Sequence, residues 1–241
     1  MGTLFPGMGF ATRFLFAAGF AFACGHSGSP ARAGEEPVAA LTPILRSIEA
    51  DTLLSRLYRT CPADTYRKEA TLFSLLGTED GMDIETCSAD LKFCFDKCIS
   101  GKSGGACFSL ARTLQDHGAP AMDQHYEPLF ALACAIGKSS GCTNRAAGMR
   151  NGGYEKDPSG DWEAAAAEFC QRRTFKIACD GSDAWGCAMY GQSLYFAEGG
   201  PADLNGAKQA FSNSCAIREE SEACEFAKEY MEQIRLGGSP D

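Results

Sequence analysis

Pairs of cysteines recur along the chain, and seven or eight residues separate the two members of each pair. The four pairs are Cys98 and Cys107, Cys134 and Cys142, Cys179 and Cys187, and Cys215 and Cys224. Successive first cysteines are 36, 45 and 36 residues apart, and successive second cysteines are 35, 45 and 37 residues apart. Such a period is typical of repeat proteins. The pattern predicts units of about 36 residues, with an insertion of about nine residues in the middle copy.

The residues that flank the cysteines repeat with helical spacing. A phenylalanine stands four residues before the first cysteine in three copies, at Phe130, Phe175 and Phe211. The seventh residue after the second cysteine is apolar in every copy, at Leu114, Met149, Leu194 and Met231. The fourth residue after it is small at Ala111, Ala146 and Gly191, which allows close helix approach. Offsets of four and seven fall on one helical face. Each cysteine pair is therefore predicted to lie where the second helix of one unit ends and the first helix of the next begins.

A glycine-containing break divides each unit, and an aspartate suited to capping the next helix follows it. The breaks contain Gly118, Gly152 with Gly153, and Gly199 with Gly200. The following aspartates are Asp123, either Asp157 or Asp161, and Asp203. One helix pair cannot bury its apolar face alone, but stacked pairs can. The predicted fold is all-α, a right-handed α-solenoid of helix-turn-helix repeats over residues 84–235, followed by a tail at 236–241.

Residues 34–83 are predicted to form a helical cap or a degenerate repeat. Thr42 is expected to cap a helix that begins at Pro43 and runs to about residue 60. A second helix is expected from Asp64 to Leu76. A third is expected from Ile84 to Cys98.

The third predicted helix carries Cys87, Cys94 and Cys98 on one face. Cysteines at those offsets on a straight helix are too far apart to form disulfides with each other. Their partners are therefore expected elsewhere in the chain.

The N-terminus has the composition of an export signal. Arg13 precedes an apolar block over residues 14–23, and Ala31-Arg32-Ala33 offers a small-x-small cleavage site that would end a signal peptide at residue 33. Alternatively, the segment around Cys24 is similar to a bacterial lipoprotein signal ending at residue 23, with Cys24 as the lipidated residue. Both readings predict an exported protein, located in the periplasm, at the outer envelope or outside the cell.

Composition narrows the classes of partner. The net charge of −9 becomes −11 once the first 33 residues, which hold two arginines and no acidic residue, are removed. An acidic surface disfavours nucleic acid and anionic lipid, so membrane contact is expected only through the possible lipid anchor. Twelve of the thirteen cysteines follow Cys24, an even number that suits a disulfide framework in an oxidising compartment.

The unit length, glycine turns, aspartate caps and small-residue positions resemble Sel1-like repeats, which are related to tetratricopeptide repeats. The cysteine pairs are similar to those of the cysteine-rich exported Sel1-like proteins of Helicobacter. The resemblance implies a disulfide within each pair: Cys98 with Cys107, Cys134 with Cys142, Cys179 with Cys187, and Cys215 with Cys224. Four further cysteines, Cys61, Cys87, Cys94 and Cys170, allow three pairings, and the sequence does not choose among them.

Some members of that family are penicillin-binding or β-lactamase-like, so the alternative function is a β-lactamase-like enzyme or a protein that binds penicillin or peptidoglycan. The residues do not favour it: no lysine has a serine three residues before it, and Lys-Thr-Gly is absent. His117 and His125 are too few for a zinc site and are expected to be solvated loop residues. No cysteines have the two-residue spacing of redox or zinc motifs. No catalytic residue, cofactor or metal site is therefore predicted.

The sequence thus predicts a non-enzymatic exported scaffold that binds a protein or peptide on its concave face. First helices line that face in the resembled architecture, and Tyr190, Tyr195 and Phe196 lie on a predicted first helix. These aromatic residues are candidates for contact with a partner.

Overall fold

The computed structural model describes residues 36–67, 83–116, 123–152 and 163–237. Over these ranges the chain is 79% helical and contains no strand, so the prediction of an all-α protein is confirmed. The export signal with Cys24, the histidine His117 and the cap candidates Asp157 and Asp161 lie outside the described residues.

Twelve helices are present in the described ranges. The N-terminal segment forms α1 (Glu36–Ala50), α2 (Thr52–Tyr58) and α3 (Pro62–Thr65). The next three helices are α4 (Ile84–Ala89), α5 (Leu91–Ile99) and α6 (Gly104–Asp116). They are followed by α7 (Asp123–Ala135), α8 (Ser139–Arg150) and α9 (Ala164–Asp180). The chain continues with α10 (Ala184–Tyr195), α11 (Leu204–Ile217) and α12 (Glu222–Arg235).

Helices that are neighbours in the sequence pack as pairs. The complete pairs are α6 with α7, α8 with α9, and α10 with α11. We call α6, α8, α10 and α12 the first helices, and α5, α7, α9 and α11 the second helices. Each first helix contacts the next first helix along the chain, so the pairs stack on one another.

The repeated phenylalanines occupy the core, as the pattern predicts. Phe130, Phe175 and Phe211 are fully buried on second helices. A Cβ at Gly191 would lie 2.7 Å from the Phe211 ring, so only glycine lets α10 and α11 approach this closely. Ala111 and Ala146, at the equivalent positions of α6 and α8, are also fully buried.

The break between α10 and α11 needs glycine for two reasons. Gly199 has φ +66°, and a Cβ there would lie 2.2 Å from the carbonyl oxygen of Glu168. Asp203 then caps α11, because its carboxylate accepts a hydrogen bond of 2.8 Å from the Gly206 amide. The predicted glycine turn and aspartate cap are confirmed here.

The predicted N-terminal helix boundaries are wrong. Pro43 lies inside α1, which begins at Glu36, because the buried apolar stripe starts ahead of the proline at Leu41. The helix stops at Ala50, since the Asp51 carboxylate accepts the amides of Leu53 and Leu54 and starts α2. The helix predicted from Asp64 is also wrong at its start, because α3 ends at Thr65 and Tyr66 turns to ψ 131°. Its remainder lies outside the described residues.

The straight helix predicted from Ile84 to Cys98 is likewise wrong. Asp90 has non-helical backbone angles (φ −144°, ψ 86°), and its side chain caps α5 by accepting a hydrogen bond of 2.8 Å from the Phe93 amide. The break folds α4 against α5, so that Cys87 and Cys94 form a disulfide with 5.4 Å between their Cα atoms. The expectation that these cysteines cannot pair with each other depended on a straight helix and fails with it.

The N-terminal segment crosses the second helices. Outside the segment itself, α1 packs against α5 and α7, α2 packs against α7, and α3 packs against α7, α8 and α9. The predicted cap or degenerate repeat, where described, therefore lies across several units. None of the described helices is both long enough and apolar enough to pass through a membrane.

Candidate binding surface on the first helices

Six disulfides join the twelve cysteines of the described ranges. Four are those implied by the family resemblance, Cys98–Cys107, Cys134–Cys142, Cys179–Cys187 and Cys215–Cys224, with Cα–Cα distances of 4.3–4.6 Å. Each ties the last turn of a second helix to the first turn of the next first helix. All twelve sulfurs are paired in these six disulfides, so the cysteines have a structural role. Multiple disulfides of this kind indicate an oxidising, exported environment.

The sixth disulfide, Cys61–Cys170, has a different role. It connects residues 109 positions apart and joins the residue that precedes α3 to α9, with 5.7 Å between the Cα atoms. Asp64 and Arg173 form an ion pair of 2.7 Å between the same two helices. The N-terminal segment is therefore fastened across the stack rather than along it.

Beneath that segment lies a buried ion pair that the sequence pattern did not reveal. Arg145 is fully buried on α8 and donates to Glu127 Oε2 at 2.9 Å and to the Tyr58 carbonyl oxygen at 3.1 Å. Its guanidinium also lies 4.9 Å from the centre of the Tyr58 ring. A Cβ at Gly148 would lie 1.9 Å from Glu127 Oε1, so this glycine makes room for the carboxylate.

The expectation of a solvated loop histidine at 125 is wrong. His125 lies in α7, is 5% exposed, and has its Nε2 atom 2.9 Å from Glu49 Oε1 of α1. No group of three or more His, Cys, Asp or Glu residues in the described part of the chain could hold a metal ion. His125 is therefore a packing residue that ties α7 to the N-terminal segment.

A second arginine, Arg150 at the end of α8, holds first helices together. Its guanidinium donates to Gln192 Oε1, to Ser193 Oγ at 2.8 Å and to Glu198 Oε2 at 2.6 Å. It also lies 4.7 Å from the centre of the Phe175 ring. Burial lowers the pKa of Arg150, and the ion pair with Glu198 opposes that shift.

Gln192 extends this polar network to α12, because its Nε2 atom donates to the Tyr230 hydroxyl at 2.8 Å. The three first helices α8, α10 and α12 are thus held in a fixed relation. A surface built on α10 and α12 is preorganised, which lowers the entropy lost when a partner binds.

Aromatic side chains form a continuous patch on α10, on Phe196 directly after it, and on α12. Ring centres are 5.7 Å apart for Trp185 and Phe226, 4.8 Å apart for Phe226 and Tyr230, and 5.8 Å apart for Phe196 and Tyr230. Trp185 is 39% exposed and Phe196 is 40% exposed, whereas Phe226 and Tyr230 are half-buried. We call these four residues the aromatic face.

The three aromatic residues singled out in the sequence have different positions. Tyr195 is buried at 2% exposure, and Tyr190 packs half-buried against the same core. Only Phe196 presents a large part of its ring to solvent. Trp185, Phe226 and Tyr230 are not among the three. Trp185 lies two residues before Cys187, where the other copies have Gly105, Ser140 and Glu222, so the repeat alignment gives no aromatic signal at this position.

The aromatic face ends in a cleft of about 630 Å³ between the starts of α10 and α12. Trp185 and Ile217 supply its apolar walls, and Asp183, Glu220 and Glu222 supply carboxylates. A neighbouring cleft shares Glu220 and Glu222 and adds Glu219 and Glu225. Arg218 and Lys228 are the cations that line the two. We call the first of them the acidic cleft.

Fold and site together define the class: an all-helical, disulfide-rich protein of paired helices with an exposed aromatic and acidic surface. No protein-family model, no curated protein and no solved structure matches the chain.

Proposed function

We propose that the protein is an exported scaffold that binds another protein or a peptide through its first helices. In this proposal the helix pairs stack as a right-handed α-solenoid of the Sel1-like type, with first helices on the concave face. The stacked pairs, the disulfide at each junction and the contacts between successive first helices support that arrangement.

The aromatic face is the observation that carries the proposal. Large aromatic side chains dominate the binding energy of many protein interfaces, because they bury much apolar area with few rotatable bonds. Here Trp185 and Phe196 leave about two fifths of their surface in water while Phe226 and Tyr230 support them from behind. The polar network of Arg150 and Gln192 fixes the helices that carry them.

The test compares the exported wild-type protein with a Trp185→Ala/Phe196→Ala double variant and a Phe169→Ala control. Phe169 is 55% exposed on second helix α9, outside the aromatic face, so its loss removes a similar exposed ring. Each protein is cross-linked in the envelope of its host, isolated, and analysed by mass spectrometry, with circular dichroism as the check on folding.

We expect one partner protein to be recovered with the wild type and with Phe169→Ala, and to be lost with the double variant. Equal recovery with all three proteins would contradict the proposal, as would no recovery with any of them. Turnover of a chromogenic β-lactam by the folded wild type would also contradict the assignment of a non-enzymatic role.

A further inference from the structure

The surface chemistry beside the aromatic face points to the kind of segment that it binds. Resting on the proposed function, we propose that the partner presents a cationic segment. One of its lysine or arginine side chains enters the acidic cleft beside Trp185, and a neighbouring apolar side chain lies on Phe196 and Tyr230.

The acidic cleft has the two groups that recognise an organic cation. An indole ring attracts a cation to its face, and Trp185 forms one wall of the cleft. Carboxylates supply the opposite charge: Glu220 and Glu222 are exposed and form no ion pair with any residue that the structure describes. They are therefore available to a cation from outside the chain.

Asp183 adds a fixed negative charge to the same cleft. Its Oδ1 atom accepts hydrogen bonds of 2.7 Å from both the Gly186 amide and the Thr143 hydroxyl. Those contacts hold the carboxylate at the start of α10, where it cannot swing away. The cleft thus contains three carboxylates against the single guanidinium of Arg218.

Helix starts are the strongest argument for an anion instead, since the amino ends of α10 and α12 both border the cleft. The positive partial charge at each of these helix ends is already compensated by nearby side chains. Asp183 caps α10, the Ser221 hydroxyl caps α12, and Glu222 and Glu225 lie in the first turn of α12. Charge complementarity therefore favours a cation, in keeping with the net charge of −9 for the whole chain.

The aromatic face gives such a segment a second anchor. Trp185 contacts Phe226, and Phe226 contacts Tyr230, so the apolar surface continues from the cleft to Phe196 without interruption. A segment with a cationic residue followed by an apolar one fits this order. Long side chains such as lysine and arginine can also lay their methylene groups along the rings.

Three fluorescein-labelled peptides of equal length test the proposal. All contain Leu and Phe, which are flanked by Lys in one peptide, by Glu in the second and by Ser in the third. Fluorescence anisotropy with the full-length exported protein gives the dissociation constants. We expect the Lys peptide to bind about tenfold more tightly than the Ser peptide, and the Glu peptide to bind least. At about 1 M salt, where the Debye length is about 3 Å, that difference should largely vanish.

Two double variants separate the effect of the carboxylates in the acidic cleft from the effect of the protein's overall negative charge. Glu220→Gln/Glu222→Gln should remove most of the preference for the Lys peptide. Glu85→Gln/Glu168→Gln, which removes two exposed carboxylates elsewhere, should leave it unchanged. Trp185→Ala should weaken binding of the Lys peptide more than Phe169→Ala does.

Equal binding of the Lys and Glu peptides, or an unchanged preference in Glu220→Gln/Glu222→Gln, would overturn the cationic assignment. Failure of all three peptides while the partner is still captured through Trp185 and Phe196 would overturn it as well, and would leave the proposed function standing. Preference for the Lys peptide without any captured partner would support the cationic cleft and reject the proposed function.

Discussion

At the scale of single residues, the ion pair between Arg145 and Glu127 is the most deeply buried one among the residues that the structure describes. Both side chains are almost entirely removed from water, at 1% and 4% exposure. A buried charge whose partner is removed costs far more than a surface charge does, because the remaining ion stays desolvated. The carbonyl oxygen and the ring of Tyr58 also contact Arg145, so the burial of the ion pair depends on the packing of α2 against it.

Arg145→Met is predicted to lower the free energy of unfolding by about 3–5 kcal/mol, since it leaves Glu127 buried without its cation. Arg112→Met is the control, because Arg112 pairs with Asp116 at the surface and such pairs contribute about 0–1 kcal/mol. Denaturant unfolding of the oxidised proteins measures both. Equal losses in the two variants would contradict the structural role assigned to Arg145.

The sequence pattern predicts some of these buried residues but not others. The buried phenylalanines and the small residue at Gly191 could be predicted, because each repeats at helical spacing with the cysteines. Arg145 could not, since its burial depends on Tyr58, which is 87 residues earlier in the chain. The burial of His125 depends in the same way on Glu49, which is 76 residues earlier.

At the scale of helices, aspartate caps decide where elements begin. Asp51, Asp90, Asp183 and Asp203 each accept a backbone amide at the start of a helix. The predictions succeeded at Asp203, where a glycine turn precedes the cap. They failed at Asp51 and Asp90, because apolar periodicity continues through both residues and gave the impression of one long helix.

Asp51→Ala is predicted to destabilise the protein by about 0.5–2 kcal/mol, because the amides of Leu53 and Leu54 lose their acceptor. The matched control is Asp180→Ala, which removes an exposed carboxylate that pairs with Lys176 within α9. That control should change stability by no more than about 0.5 kcal/mol. Thermal unfolding of the two variants measures the difference, and a larger loss in Asp180→Ala would contradict the capping role of Asp51.

At the scale of the whole molecule, disulfides of two kinds hold the helices together. Five of the six link residues seven to nine positions apart and so fix local turns. Cys61–Cys170 closes a loop of about a hundred residues, which by the chain-entropy estimate contributes about 5 kcal/mol, against about 2–3 kcal/mol for a short loop. This disulfide fastens the N-terminal segment over α7 and α9, where the segment covers Arg145 and Glu127.

The arrangement of the whole molecule could be predicted only in part. Repeat spacing indicated an all-helical chain with a cysteine pair at each junction, because both features are local. The pairing of Cys61 with Cys170 and the placement of the N-terminal segment depend on long-range packing, which no local pattern encodes. The aromatic face was indicated only through Phe196, since exposure of Trp185 depends on how α10 and α12 meet.

Peptide mapping of the oxidised protein under non-reducing conditions tests this architecture most directly, because every helix junction and the surface built on α10 and α12 depend on the disulfides. The predicted result is six linked peptide pairs, with Cys61–Cys170 and Cys87–Cys94 beside the four junction disulfides, and no free thiol among the twelve cysteines. Free thiols at Cys134 and Cys142, or disulfides that cross from one junction to another, would contradict it.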